Sequence, residues 1–272
     1  MIRRLATILP VLAAAGVLAA SSTAHAQDTA PTWRRRTGPQ PKSTLGNFTV
    51  ELRFGGYYPQ VDDEFGGSGP YTQFFGKGPQ FYFGLEADWM PIEIPYVGRL
   101  GPAFGWGYTT MSAKAKLPTT DITSGAATTE TVGVSTNLNI HAMHVSAVLR
   151  IDEIKKRIII PIVPYAKIGF GMGTWSSGTS TGGSKVGDCE AATPTNCITA
   201  EGMSIGPHIA VGGMLGLNWL DRRSGTMARE SSGIDQAYVF GEWMLDKLDS
   251  GAGKDPMHIG TSSWVLGVAL DL

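Results

Sequence analysis

Charge is scarce in this chain. Asp, Glu, Lys and Arg make up 17% of its 272 residues, against roughly 25% in soluble domains. The 22 basic and 23 acidic residues leave a formal net charge of −1, so no basic surplus marks a nucleic-acid partner. Cysteine is reduced to two residues, Cys189 and Cys197. A redox or metal role for them needs further Cys or His ligands, and none lies nearby in sequence. Beyond the N-terminal segment no stretch approaches the ~18 consecutive apolar residues with which a helix spans a bilayer. Glycine, in contrast, is abundant at 36 residues, too many for a helical protein.

The N-terminal segment reads as a secretory signal over residues 1–26. Arg3 and Arg4 form a basic start, Leu5 to Ala20 is apolar, and Ala24-His25-Ala26 gives the small-x-small cleavage pattern. The apolar part is too short and too broken by Pro and Gly to be a membrane-spanning helix. Removal of 26 residues leaves 246, a single all-β domain by length. It also takes two of the 22 basic residues and no acidic one, leaving 20 against 23. For an exported chain without a spanning helix, a closed barrel is the remaining way to cross lipid, because lipid cannot satisfy a free sheet edge. Residues 27–46 hold three prolines, Arg34-Arg35-Arg36 and Lys42 without hydrophobic period, and are expected to form a flexible basic periplasmic arm.

From Asn47 the hydrophobic period becomes 2. Phe48, Val50, Leu52 and Phe54 alternate with Thr49, Glu51, Arg53 and Gly55. Phe81, Phe83, Leu85, Ala87 and Trp89 alternate with Tyr82, Gly84, Glu86, Asp88 and Met90. Leu100, Phe104, Trp106 and Tyr108 stand against Gly101, Ala103, Gly105, Gly107 and Thr109, and Trp264, Leu266, Val268, Leu270 and Leu272 against Val265, Gly267, Ala269 and Asp271. Dyad segments of about ten residues are the signature of transmembrane strands. Weaker versions cover 134–151, 162–174 and 208–219, while 237–246 carries bulky groups in both rows. The expected fold is therefore all-β, a single closed antiparallel transmembrane β-barrel of eight strands over residues 47–272.

With the arm in the periplasm, the outer connections are 58–78, 114–133, 176–201 and 248–260, and the inner ones 91–96, 152–159 and 221–234. Long outside and short inside is the asymmetry of such barrels, although the third inner connection is long. Phe48, Trp89, Tyr96, Tyr165, Trp219 and Tyr238 fall near inner strand ends, and Tyr57, Tyr58, Tyr82, Tyr108, Trp175 and Trp264 near outer ends, where two interfacial girdles are expected. A soluble eight-stranded cup also alternates. Its second row would meet water as Lys, Glu, Thr and Ser, whereas here that row is largely Gly and Ala, which suits a crowded interior.

Three stretches carry a resemblance. Val50-Glu-Leu-Arg-Phe-Gly-Gly-Tyr-Tyr-Pro-Gln-Val-Asp-Asp-Glu-Phe, Pro161-Ile-Val-Pro-Tyr-Ala-Lys-Ile-Gly-Phe-Gly and Ser263-Trp-Val-Leu-Gly-Val-Ala-Leu-Asp-Leu resemble a family of outer-membrane β-barrel proteins known from myxobacteria, as does Ile234-Asp-Gln-Ala-Tyr-Val-Phe-Gly-Glu-Trp-Met. The similarity covers nearly all of 47–272. It implies fold and compartment, the cell outer membrane, and brings no activity with it. The chain ends in Leu272, where many barrel proteins end in Phe.

Candidate sites are few. Cys189 and Cys197, separated by seven residues in one outer connection of an exported chain, read as a disulfide. His144-Val145-Ser146 resembles the His-x-Ser pair of the outer-membrane lipid A deacylases, and a spacing of two puts both on one strand face. No carboxylate partner can be assigned from sequence, and polar strand residues at the lumen are the plainer reading. His141 and His144 fall on opposite faces, which argues against a shared metal. Asp62, Asp63 and Glu64 lack the spacing of a calcium loop and read as a solvated acidic turn. No metal or cofactor is expected.

The inward rows supply charges of both signs: Glu51, Glu86, Asp88 and Asp271 against Arg53, Arg150 and Lys167. They are expected to form a lumen network that plugs a barrel just wide enough for side chains, with a register pairing Arg53 with Glu86 and Glu51 with Asp88. The expected role is structural or interactive and non-enzymatic. Its partners would be outer-membrane lipids and lipopolysaccharide, or envelope and extracellular surfaces reached through the outer loops. The alternatives are a lipid A-modifying hydrolase using His144 and Ser146, or a narrow passive pore for small solutes.

Overall fold

The computed structural model describes residues 47–66, 69–120, 127–154, 161–179, 182–186, 189, 197–219, 231–251 and 256–272, with backbone alone at 115–120, 127–134, Val186 and Trp219. The expected signal and basic arm, 1–26 and 27–46, lie outside the described residues.

Period-2 alternation produces eight long strands: β1 (Phe48–Tyr57), β2 (Gln80–Trp89), β3 (Gly98–Thr120), β4 (Ala127–Arg150), β5 (Ile162–Thr179), β6 (Glu201–Gly216), β7 (Gln236–Asp246) and β8 (Thr261–Asp271). Each pairs antiparallel with its sequence neighbours, and β8 pairs back onto β1 from Thr49↔Asp271 to Gly55↔Val265. The sheet is closed and has eight staves. Closure removes the free edges that lipid cannot satisfy.

The two rows divide as their chemistry requires. Outward lie Phe81, Phe170, Ile168, Trp264 and Leu266, each more than 60% exposed. Inward and buried lie Thr49, Glu51, Arg53 and Tyr57 of β1, Tyr82, Glu86 and Asp88 of β2, and Lys167 of β5. An apolar exterior around a polar interior reverses the arrangement of a soluble protein and is that of a membrane barrel. β7, with bulky groups in both rows, resolves with Tyr238, Phe240, Glu242, Met244 and Asp246 inside.

Three expectations are corrected. The connection 114–133 is mostly strand: β3 and β4 run on as a two-stranded ribbon to Thr120↔Ala127, with an irregularity between Lys114 and Lys116. Its many Thr residues favour extended backbone, and polarity in both rows is what a ribbon standing in water tolerates, so the sequence reads as loop. The β1–β2 register also differs, pairing Glu51 with Glu86, Thr49 with Asp88 and Arg53 with Gly84. A shift of two keeps every side chain on its face, so alternation alone does not distinguish the two registers. The aromatic girdles, finally, are thinner than expected. Tyr57, Tyr82, Tyr165 and Tyr238 are fully buried in the lumen and Trp175 packs against the same interior cluster. Phe48, Trp89 and Tyr96 at the inner end and Trp264 at the outer end are exposed. The tyrosines share parity with the inward glycines and occupy the room these leave: a Cβ on Gly107 would lie 2.1 Å from the Tyr82 hydroxyl, and one on Gly212 would lie 2.7 Å from that of Tyr165.

Candidate functional site

The lumen is filled in three tiers. At the inner end Arg150, the last residue of β4, reaches across to the β1–β8 seam. Its Nη1 donates to Thr49 Oγ1 at 2.8 Å and to Asp271 Oδ1 at 3.0 Å, and Nη2 donates to Asp271 Oδ2 at 3.3 Å. Tyr238 lies beneath the guanidinium, 5.2 Å from ring centroid to Cζ, and donates its hydroxyl to Asp271 Oδ2 at 3.2 Å. Nearby Arg99 donates to Asp152 at 2.6 Å.

The middle tier joins four strands. Lys167 of β5 donates to Glu51 Oε2 at 3.0 Å and to Glu86 Oε1 at 2.6 Å, and its Nζ lies 3.4 Å from Glu242. Lys167 thus stands between the two glutamates that the register sets opposite each other. Arg53 donates to Glu86 and forms an ion pair with Glu242 of β7. Asp88 is fully buried beside them next to Glu86, and no N–H or hydroxyl donor among the described residues meets either of its oxygens. Buried charges are tolerated only when compensated, which is why these residues converge.

Above them two histidines carry the network outward. His144 Nε2 lies 2.9 Å from Glu86 Oε2, and His208 Nδ1 lies 2.5 Å from Asp246 Oδ1. The outermost tier is apolar. Leu248 and Ile259, from the connection between β7 and β8, are buried among Tyr57, Met111, Ile140 and Met244. That connection is tied in place by Tyr57 Oη donating to Ile259 O at 2.6 Å, by Ser204 Oγ donating to Met257 O at 2.7 Å, and by the Ile205↔Ser250 bridge.

The residues singled out in the sequence are thus distributed as follows. Glu51, Arg53, Glu86 and Lys167 meet in one cluster with Asp88 at its side, while Arg150 and Asp271 form a separate pair at the inner end. Sequence reasoning missed Glu242, His208 and Asp246. The phase of β7 hides the acids, and with them the partner of His208. Cys189 and Cys197 are disulfide-bonded. Ser146 is buried, and its hydroxyl makes no hydrogen bond to His144 or to any other described group. His144 is spent on Glu86 and on the face of His208, and both residues point into the filled lumen rather than to lipid. The acidic turn is not simply solvated. Asp62 is buried and accepts from the backbone N–H of Tyr71 at 2.8 Å and of Thr72 at 2.9 Å, so it caps the short helix α1 (Pro70–Phe75). Burial there raises the Tyr71 hydroxyl to about 12. Glu64 accepts the His258 N–H at 2.5 Å.

A closed eight-stranded sheet, apolar outside and charged within, defines a transmembrane barrel of the outer-membrane type. Several solved barrels are similar to it. The Ail attachment invasion locus protein of Yersinia pestis, in complex with the heparin analogue sucrose octasulfate, shares 11% identity with a TM-score of 0.39, over 82% of this chain and 95% of that one. Neisserial surface protein A shares 11% with a TM-score of 0.42, over 83% and 97%. A major outer membrane protein from Thermus thermophilus shares 13% with a TM-score of 0.38, over 82% and 98%. At these scores the likenesses carry nothing about function; the barrel is defined by its own closed pairing. No protein-family model and no curated protein matches the chain.

Proposed function

We propose that this chain is a non-enzymatic outer-membrane barrel whose lumen is closed and whose role lies in the surface it holds outside the bilayer. The observation that supports this is the filling of the lumen from end to end: the Arg150–Asp271 pair, the Lys167–Arg53 cluster, and then Leu248 and Ile259 across the outer mouth. An interior occupied in this way by the described residues is a plugged one, in keeping with the capacity of eight strands. Outside, the β3–β4 ribbon continues about ten residues beyond the last β2 partner, Thr109. Such a ribbon, with the disulfide-bearing connection beside it in the chain, gives a surface for lipopolysaccharide, envelope proteins or external partners.

A lipid A hydrolase built on His144 and Ser146 lacks support, because the serine hydroxyl is not held by the histidine and neither side chain meets lipid. Purified protein in planar bilayers tests the closed lumen. The expected trace is flat, and stable single-channel steps would overturn the proposal in favour of a small-solute pore. Mass analysis of lipid A from cells with and without the gene is expected to show no difference; a change in acylation would restore the hydrolase.

A further inference from the structure

We propose that the lumen binds one calcium ion between the carboxylates of Asp88, Glu51 and Glu86. One ligand oxygen from each residue lies within 4.8 Å of the others, and all three side chains are buried. Geometry of this kind recurs in acidic clusters that bind nothing. What distinguishes this one is Asp88: it is 0% exposed, and neither of its oxygens meets a donor among the described residues. Glu51 Oε1 is likewise without a donor. An unpartnered carboxylate in a water-poor interior carries a large desolvation cost, so these oxygens call for a positive partner that the chain does not itself supply.

Charge counting points the same way. By formal charge the middle tier sets four carboxylates, Glu51, Glu86, Asp88 and Glu242, against two cations, Arg53 and Lys167. Two negative charges are left over. Lys167 is already engaged by Glu51, Glu86 and Glu242. A single shared proton would neutralise one charge and satisfy one oxygen pair. A divalent ion neutralises both and ligates all three carboxylates at once. Calcium fits better than magnesium, because it accepts irregular shells of carboxylate oxygens, whereas magnesium demands octahedral geometry and retains waters for which a side-chain-filled lumen has little room.

The test refolds the barrel in detergent with calcium chloride or with EDTA, desalts it, and measures bound metal by plasma mass spectrometry and the thermal midpoint of each sample. The expected result is about one calcium per chain, a higher midpoint in calcium than in EDTA, and loss of both effects in Asp88→Asn, with Asp63→Asn in the exposed outer turn unchanged. If Asp88→Asn does not fold, the wild-type metal content and midpoint difference decide alone. No stoichiometric calcium in the wild type, or calcium retained undiminished in Asp88→Asn, overturns the proposal; a midpoint that follows pH and ignores calcium assigns the surplus charge to protons instead. The conductance of the barrel does not bear on this outcome.

Discussion

His144 and His208 stack face to face, their ring centroids 3.8 Å apart and their planes within 6°. They come from strands that do not pair, β4 and β6, and meet over β5. Their partners on that intervening strand are Gly171 and Gly169 respectively, so no side chain intervenes. The stack joins the Glu86 cluster to the His208–Asp246 pair and makes the two one continuous network.

That contact predicts the effect of a methyl group on the neighbouring strand β3, where Gly105 pairs with His144. A Cβ on Gly105 would lie 2.2 Å from both Cε1 and Nε2 of His144, so Gly105→Ala has to turn the ring away from Glu86. Overpacking of this kind costs about 1–3 kcal/mol. Thermal unfolding of the purified barrel should show the loss, and an unchanged midpoint would count against the stack as a structural element.

Arg53→Ala is expected to be worse. It leaves Glu86 and Glu242 without their guanidinium, and removing one partner of a buried ion pair costs about 3–5 kcal/mol. Lys185→Ala, an exposed change in an outer connection, should leave stability within about 0.5 kcal/mol of wild type. Urea titrations of both variants provide the comparison, and similar midpoints for the two would mean a hydrated lumen that screens its charges.

The Cys189–Cys197 bond closes a short loop, for which chain entropy allows about 2–3 kcal/mol at most. Because it lies far from the lumen network in the chain and in an outer connection, reduction should loosen that connection and leave the barrel folded. The measurable outcomes are no alkylation of either cysteine in unreduced, denatured protein, and an unchanged barrel midpoint after reduction.

Location and closure are checked together by fractionation. The mature protein should travel with outer membranes and migrate at different apparent masses in detergent gels when boiled and unboiled, because a closed sheet resists unfolding by detergent alone. Recovery as a periplasmic monomer without detergent would contradict the exterior formed by Phe81, Phe170 and Trp264.

The barrel was legible because period 2 depends only on composition along the strand. Rows such as Phe48-Val50-Leu52 and Trp264-Leu266-Val268 state which side meets lipid. The contents of the lumen were legible only where one row was plainly small or charged. In β7, Phe240 and Met244 lie inward with Glu242 and Asp246 while Val239 and Trp243 lie outward, so hydropathy does not separate the rows, and two network acids stayed hidden. The register failed for a related reason. Glu51 opposite Glu86 looks unfavourable in a hairpin considered alone, and becomes acceptable through Lys167, which lies 116 positions from Glu51 along the chain. The inward glycines of β5 were a usable signal for the histidine stack, since missing side chains on a crowded wall imply that larger ones cross over it.

The inner seam has a bearing on how the molecule is made. Arg150 lies near the middle of the chain, yet its partners are Thr49 on the first strand and Asp271 one residue before the end. Until the final strand docks, the guanidinium lacks Asp271, the carboxylate it hydrogen-bonds, and the first strand has an open side. The last step of assembly therefore zips the wall and neutralises Arg150 in a single event, so that a chain halted one strand short would keep both an unsatisfied edge and an unpaired cation as marks of its incompleteness.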